Sequence, residues 1–411
     1  MSSCLEQVSK QGPRGLLETS TRPKTKSVKH EVYLDANASH PLLDRVKAQL
    51  CQSLEGESFG NASSVHHAAG RRSRKLLASL KEELHAVTGL EASGWTFTSG
   101  ATESLNMVLT TALVEGWDVC CSEVEHSAVL KFCAKRIPEA QQLPVLADGS
   151  LDLAKLRARL EALEAGSELL LVLQSHNNET GFPLLRQNDI TTFSKLVELR
   201  PGVRVLWDAV QSVGKTDPQW LKELLATGHY VVVTGHKLGS LPGMGAVWKN
   251  KSAPLKPLLL GGTQEQGMRA GTESLWSALA WLEALHEWQE NGASYRRNWT
   301  RLKTQLVSML AGITRVKVLR GAENDACLPN TLPLVVEGMR SDLMLQRLDL
   351  EGVCVSSGSA CQSGAAVASH VLKALGYRDD EAGSFIRVSM PVHCKQNDLD
   401  LFVAALRKIL A

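Results

Sequence analysis

The sequence predicts an α/β protein: a mostly parallel sheet with helices on both faces, and a smaller α/β domain. Three observations lead there. Strand-like runs alternate with helix-like ones up to about residue 290, the pattern of a parallel sheet built from crossover units. The strand-like runs, such as Tyr230-Val231-Val232-Val233 and the leucine-rich 169–173, are apolar without alternation, as strands buried on both faces are. Several end in glycine, histidine, lysine or carboxylate residues, and open α/β sheets keep their ligands at the carboxyl ends of their strands.

Taken in order, residues 1–30 are dominated by Ser, Thr, Lys, Arg, Gly and Pro and read as a flexible extension. Glu6, Glu18 and the lack of an amphipathic arginine face argue against a mitochondrial presequence, and the missing apolar core argues against a secretory signal. Residues 46–290 are expected to form the large domain, with 31–45 and 291–411 forming the small one. Leu76, Leu77, Leu80, Leu84 and Val87 place an amphipathic helix over 70–87. Residues 274–288, rich in Leu and Ala, predict the helix joining the domains, with Trp276, Trp281 and Trp288 packed against neighbours. Beyond it, 315–319, 331–335, 353–356 and 386–389 predict strands of the smaller domain, and 399–410 a closing helix.

At 411 residues and 44% hydrophobic, the chain can bury a core large enough for two domains. A net charge of +2 and the absence of a basic run interleaved with aromatics give no electrostatic case for nucleic acid. The nine cysteines are odd in number and lack CxxC spacing, so neither a disulfide framework nor a metal site is indicated, and a reducing cytosol fits best. No apolar stretch approaches the length of a membrane span.

The candidate site residues stand where these strands run out. Lys237, in Thr234-Gly235-His236-Lys237, is a candidate Schiff-base lysine or a solvated loop lysine. Asp208 ends the run Val203-Arg204-Val205-Leu206-Trp207, where a carboxylate pairs with a pyridinium nitrogen or caps a helix. Thr98-Ser99-Gly100-Ala101-Thr102 reads as a tight turn into a helix, whose free N–H groups suit a phosphate or simply accept a cap. His126, after Cys121-Ser122-Glu123-Val124-Glu125, either stacks on a cofactor ring and relays protons or is structural. His176-Asn177-Asn178-Glu179-Thr180-Gly181, at another strand exit, either hydrogen-bonds a cofactor hydroxyl or is a plain polar turn. Cys361, flanked by small residues in Ser357-Gly358-Ser359-Ala360-Cys361, is placed to be a mobile, accessible thiol, whereas Cys354 between two valines reads as core. Arg387, in Ile386-Arg387-Val388-Ser389, suits a bidentate grip on a carboxylate or a surface ion pair.

In this order, together with Leu34-Asp35-Ala36-Asn37-Ala38, Gly60-Asn61-Ala62-Ser63-Ser64-Val65-His66, Asp208-Ala209-Val210-Gln211-Ser212 and Arg269-Ala270-Gly271-Thr272, these segments resemble the cysteine desulfurases of the NifS/IscS family. That family shares the aminotransferase class V fold, a fold type I of the pyridoxal 5'-phosphate (PLP) dependent transferases, with a sheet of the seven-stranded type in the large PLP-binding domain. The resemblance implies that Lys237 carries PLP, Asp208 pairs with the pyridine nitrogen and His126 stacks on the ring. It implies that Gln211 and Asn178 contact the phenolic oxygen or the substrate, and that Ala101, Thr102, Thr234 and His236 hold the phosphate with Thr272 of a second subunit. Arg387 would bind the carboxylate of L-cysteine, and Cys361, on a loop of the small domain, would take the sulfur as a persulfide. It further implies a cytoplasmic homodimer that passes sulfur to an acceptor protein, such as an iron–sulfur scaffold. A selenocysteine lyase, another class V lyase or aminotransferase, and a catalytically silent binding relative are the alternatives.

The chain departs from the family pattern at Ala38-Ser39-His40-Pro41, at Ser240-Leu241-Pro242-Gly243 and at Arg387-Val388-Ser389-Met390-Pro391. Those departures bear on substrate preference and leave the cofactor residues intact. The chain ends at Ala411, soon after the closing helix, where relatives that serve a scaffold carry a longer tail.

Overall fold

The structure, a computed structural model, describes residues 31–56, 59–322, 326–358 and 368–411. In chain order its strands are β1 (Val32–Tyr33), β2 (Trp95–Thr98), β3 (Asp118–Ser122), β4 (Gln141–Leu143), β5 (Leu169–Gln174), β6 (Val203–Asp208), β7 (Tyr230–Thr234), β8 (Gly245–Lys249), β9 (Val316–Val318), β10 (Thr331–Val336), β11 (Val353–Cys354) and β12 (Phe385–Ser389). The central sheet has seven strands in the order β2-β8-β7-β6-β5-β3-β4. Pairing is parallel from β7 through β6, β5 and β3 to β4, while β8 is antiparallel to both its neighbours.

Both faces of this sheet are covered, which explains why its strands do not alternate. In β5, Leu169, Leu171 and Leu173 belong to one apolar core, and Leu170 and Val172 to a second on the opposite face. The same two-residue period sorts Val231 and Val233 of β7 from Tyr230 and Val232. Asp208, at the end of β6, pairs in register with Gln174 at the end of β5 and with Val232 of β7, so three strand ends deliver polar groups to one edge.

The predicted helix over 70–87 runs over Ala68–Thr88 and stops at Gly89, whose φ of 76° is the left-handed conformation that glycine adopts without strain. The helix expected over 274–288 is far longer. It spans Leu275–Leu310, 36 residues, and passes straight through Gly292. Gly292 costs helix propensity, but it is buried beside Trp288, and a Cβ there would stand 3.2 Å from that ring, so packing decides against propensity. Residue 290, where the sequence places the domain boundary, therefore lies inside one continuous helix.

Residues 32–411 form one compact unit. A second sheet, β12-β10-β9, is antiparallel, and β1 pairs with β11 in parallel. Bridges from Asp35 to Ser389 and from Ser356 to Arg387 stitch that pair to β12. The segment that follows β1 thus runs beside β12, a strand some 350 residues later in the chain. Among the described residues, no helix is long and apolar enough to cross a membrane.

Candidate active site

A cavity of about 490 Å³ lies at the carboxyl edge of the parallel strands. Ala101, Thr102, His126, Asn178, Asp208, Gln211, His236, Lys237 and Arg387 all line it. A larger cavity, about 750 Å³, is lined by Trp220, Arg296, Lys303 and Cys327 among others and holds none of the sequence-predicted site residues. Convergent titratable groups, not volume, mark the smaller one as the site.

Lys237 reaches it because β7 breaks into a short 3₁₀ turn, His236–Leu238, closed by Gly239 at φ 85°. Its Nζ donates to the backbone carbonyls of Asn37 (2.8 Å) and Ala38 (2.6 Å), so the amine is held at the cavity wall by the segment after β1. Asp208 is buried, and its Oδ1 accepts from the Val210 N–H at 3.0 Å. Burial pushes its carboxyl up to about 6, while the Val210 bond and the charge of Lys237 pull against that rise. A buried acid of this kind gains from a cationic partner.

The helix Ala101–Glu115 begins at Gly100 with no side chain capping it, so its first N–H groups and its positive dipole end face the cavity. The turn fits against β8 only because Gly245 has no side chain: a Cβ there would sit 2.6 Å from the Gly100 carbonyl carbon. Glu103 stands in this first turn, where it would repel an anion, but it accepts from the Ser99 N–H (2.8 Å) and pairs with Arg269 (3.0 Å). Burial raises its carboxyl, yet the bonds from Arg269 and Ser99 win and hold it below its usual value.

His126 precedes the helix Ser127–Arg136 and accepts from the Ala128 N–H through Nδ1 at 3.1 Å, which places its proton on Nε2. Burial, then the charge of Lys237, pushes it down to about 4, and burial does the same to His236. Both rings are neutral at pH 7. The Thr234 hydroxyl donates to Met244 O (2.8 Å) and contacts His236 Nδ1 (3.0 Å), so Thr234 supports the His236 ring from behind instead of lining the cavity. Thr272 is exposed and away from the cavity lining. Cys361 lies outside the described residues.

The opposite wall belongs to the second sheet. Arg387 is almost fully buried, with Nη2 on Asp35 Oδ1 (2.6 Å) and Nη1 on Asn178 O (2.9 Å), and its Nε has no hydrogen-bond partner among the described residues. Asn37 is the junction. Its Nδ2 donates to Thr331 Oγ1 (2.8 Å), its N–H to Ser389 Oγ (3.0 Å), and its carbonyl accepts from Gln211 Nε2 (3.1 Å) as well as from Lys237.

Sequence reasoning gave no role to Asp35, Asn37, Glu179 or Lys215. Glu179 is buried with its carboxyl raised by burial, and Ser369 donates to it. Lys215 is fully buried. Their signal is absent from local pattern, because burial and pairing across hundreds of residues are what distinguish them.

These residues fit PLP on the chemistry of the donor set: an amine for the aldehyde, an uncapped helix start for the phosphate, a buried carboxyl for the ring nitrogen. Among the described residues, no group of three His, Cys, Asp or Glu side chains could hold a metal.

Comparison with known proteins agrees. A family model described as Aminotransferase class-V matches residues 32–402. A cysteine desulfurase of Trichormus azollae is 31% identical over 393 residues, 92% of this chain and 92% of its own length. One from Cereibacter sphaeroides is 33% identical over 396 residues, covering 92% and 95%. Among solved structures, a NifS-like protein from Rickettsia africae superposes with a TM-score of 0.81 at 26% identity, covering 92% of this chain and 99% of that one.

Proposed function

The chain belongs to the aminotransferase class-V family, among its cysteine desulfurases, and from that premise we propose that it converts L-cysteine to L-alanine with PLP and captures the sulfur on Cys361 as a persulfide. The observation that carries the reading is the meeting of Lys237 and Asp208, from adjacent strands, in one cavity with an uncapped helix start. PLP held there supplies an electron sink for bonds at the substrate α-carbon. Lys237 would hold the cofactor, and its amine, when free, would take the substrate α-proton. Asp208 keeps the ring nitrogen protonated, His126 covers the ring, and Ala101, Thr102 and His236 hold the phosphate. Thr234 acts on that phosphate through His236.

Gln211 and Asn178 would contact the phenolic oxygen or the substrate, and Arg387 would take the substrate carboxylate, with Asp35 and Asn178 already fixing its plane. The Cys361 thiolate attacks the substrate sulfur; the S–S bond forms as the Cβ–S bond breaks, its electron pair stays on carbon, and protonation there yields alanine. In this reading 46–290 carry the cofactor, while 31–45 and 291–411 carry the carboxylate grip and the thiol. The working unit is a homodimer that brings Thr272 to the partner's phosphate, in the cytoplasm, delivering sulfur to an acceptor such as an iron–sulfur scaffold. That Cys51, Cys120, Cys121, Cys133 and Cys394 are in no disulfide suits such a reducing compartment.

Mass spectrometry after incubation with cysteine tests this: added sulfur is expected on the Cys361 peptide and is lost in Cys361→Ala, which keeps its bound PLP. Unmodified Cys361 with full alanine release would make the thiol incidental. Turnover of selenocysteine with none of cysteine would replace the assignment by a selenocysteine lyase.

A further inference from the structure

Among the described residues, Lys215 is the one lysine with its whole surface buried that the proposed chemistry leaves without a task. Its Nζ donates to Gln211 Oε1 at 2.7 Å and to Asn37 Oδ1 at 3.3 Å. Each amide also donates a hydrogen bond from its nitrogen side. Gln211 Nε2 donates to the Asn37 carbonyl (3.1 Å), and Asn37 Nδ2 donates to Asn178 O (3.4 Å) and Thr331 Oγ1 (2.8 Å). Each amide therefore turns its oxygen toward the same point, and that point is filled by a group with donors to spare. The Asn37 carbonyl that receives Gln211 also receives Lys237. A continuous chain thus runs from Lys215 through Gln211 to the seat of the reactive amine.

We propose that Lys215 is a positioning residue: it holds the Gln211 amide with its nitrogen toward the cavity and, through the shared Asn37 carbonyl, steadies the Lys237 amine. The inference rests on the reading that the cavity takes PLP. A lysine is an expensive filler here. Burial first, then the charges of Lys237 and Arg387, hold its ammonium well below the usual lysine range, and methionine would fill the space without that penalty. What methionine lacks is the donor. Without it Gln211 Oε1 is left buried and unpaired, and the amide rotates to seek another partner, taking its N–H away from the cofactor's oxygen. Hydrogen bonds to a cofactor's heteroatoms tune its electronics, so the orientation should be visible in the cofactor itself.

Lys215→Met, Gln211→Met and the double variant, each loaded with PLP, test this by two readouts: the pH midpoint of the cofactor's visible absorption band, and kcat and KM for cysteine. Lys215→Met is expected to bind PLP, to displace the midpoint in the same direction as Gln211→Met, and to lose roughly tenfold to a hundredfold in kcat with KM little changed. The double variant should be no worse than Gln211→Met alone, because both act through one amide. A wild-type midpoint in Lys215→Met, or losses that multiply in the double variant, overturns the proposal. If Lys215→Met does not fold, Lys215→Arg, which keeps the donors, must restore both folded protein and the wild-type midpoint; any other result makes the lysine merely structural. Wild-type protein that takes up no PLP overturns the reading of the cavity itself, a failure distinct from one confined to the variants.

Discussion

The two walls of the cavity are built in different ways. One is the edge of the parallel sheet, where Asp208, Lys237 and His126 each stand at the end of a strand or within four residues of it. The other is assembled at long range: Asn37 bonds Thr331 across 294 positions, and Arg387 pairs with Asp35 across 352. Local pattern places the residues of the first wall, since a buried parallel strand has to end somewhere and polar residues there share an edge. Even there, the Lys237 amine is held by the distant Asn37 and Ala38 carbonyls. The second exists only after the N-terminal segment has closed onto β12, a contact whose loop entropy must be recovered by burial and hydrogen bonds. On the proposed reading the first wall holds the cofactor and the second grips the substrate, so damage to each should have a different kinetic signature.

The largest effect is expected on the sheet wall. Asp208→Asn should cut turnover by on the order of a hundredfold or more, since it removes the charge proposed to pair with the ring nitrogen. The same substitution should stabilise the protein when PLP is removed. Asp208 titrates near 6 instead of 3.8, so between those values the folded state keeps a proton that the unfolded state has released, and stability falls as pH rises through that window. Above pH 6 the buried charge costs roughly 3 kcal/mol, which asparagine avoids while its own Oδ1 keeps the Val210 N–H bond. Urea unfolding of the PLP-free proteins at pH 4 and pH 7.5 checks the sign: a gain for Asp208→Asn at the higher pH that fades at the lower. A loss at pH 7.5 would mean that Asp208 serves the fold before the cofactor.

A smaller effect, of another kind, belongs to the far wall. Arg387→Lys keeps a charge but loses the planar fork that now spans Asp35 and Asn178, so KM for cysteine should rise about tenfold to a hundredfold while kcat changes little. Steady-state kinetics decides it, and a fall in kcat at unchanged KM would erase the distinction between the walls. The same contrast explains what was legible beforehand. Lys237, Asp208 and His126 could be placed at strand ends, and a mostly parallel sheet read from unalternating apolar runs, whereas its seven strands were implied only by the family resemblance. Arg387 could be placed in a strand, but its partner Asp35 could not be named, because nothing local links residues so far apart. Lys215 is one of 45 lysines and arginines, and burial, which sets it apart, is a tertiary property. The joining helix outruns its expected end at 288 because packing of Gly292 against Trp288, a tertiary property, decides against helix propensity.

That helix yields the smallest expected effect and the sharpest test of how the walls communicate. It packs on helices of the large sheet, and its far end reaches β9 and the closing helix Gln396–Leu410, so it is a rival route for coupling between them. In Gly292→Ala the new methyl would sit 3.1 Å from Arg296 Nη1 and 3.2 Å from the Trp288 ring. Arg296 can yield only by loosening its bond to Gly214 O (2.9 Å), and Trp288 is anchored by Nε1 on Leu238 O (2.9 Å). Crowding of that size offsets the roughly 1 kcal/mol that alanine gains over glycine in a helix. Thermal unfolding should therefore move by no more than the equivalent of about 1 kcal/mol. Leu238 follows Lys237 directly, so a helix that carried coupling would shift kinetics even when stability holds. If Asn37 is the link, kcat and KM for cysteine remain at wild-type values, and a changed KM in Gly292→Ala would move the junction from the Asn37 carbonyl to the helix.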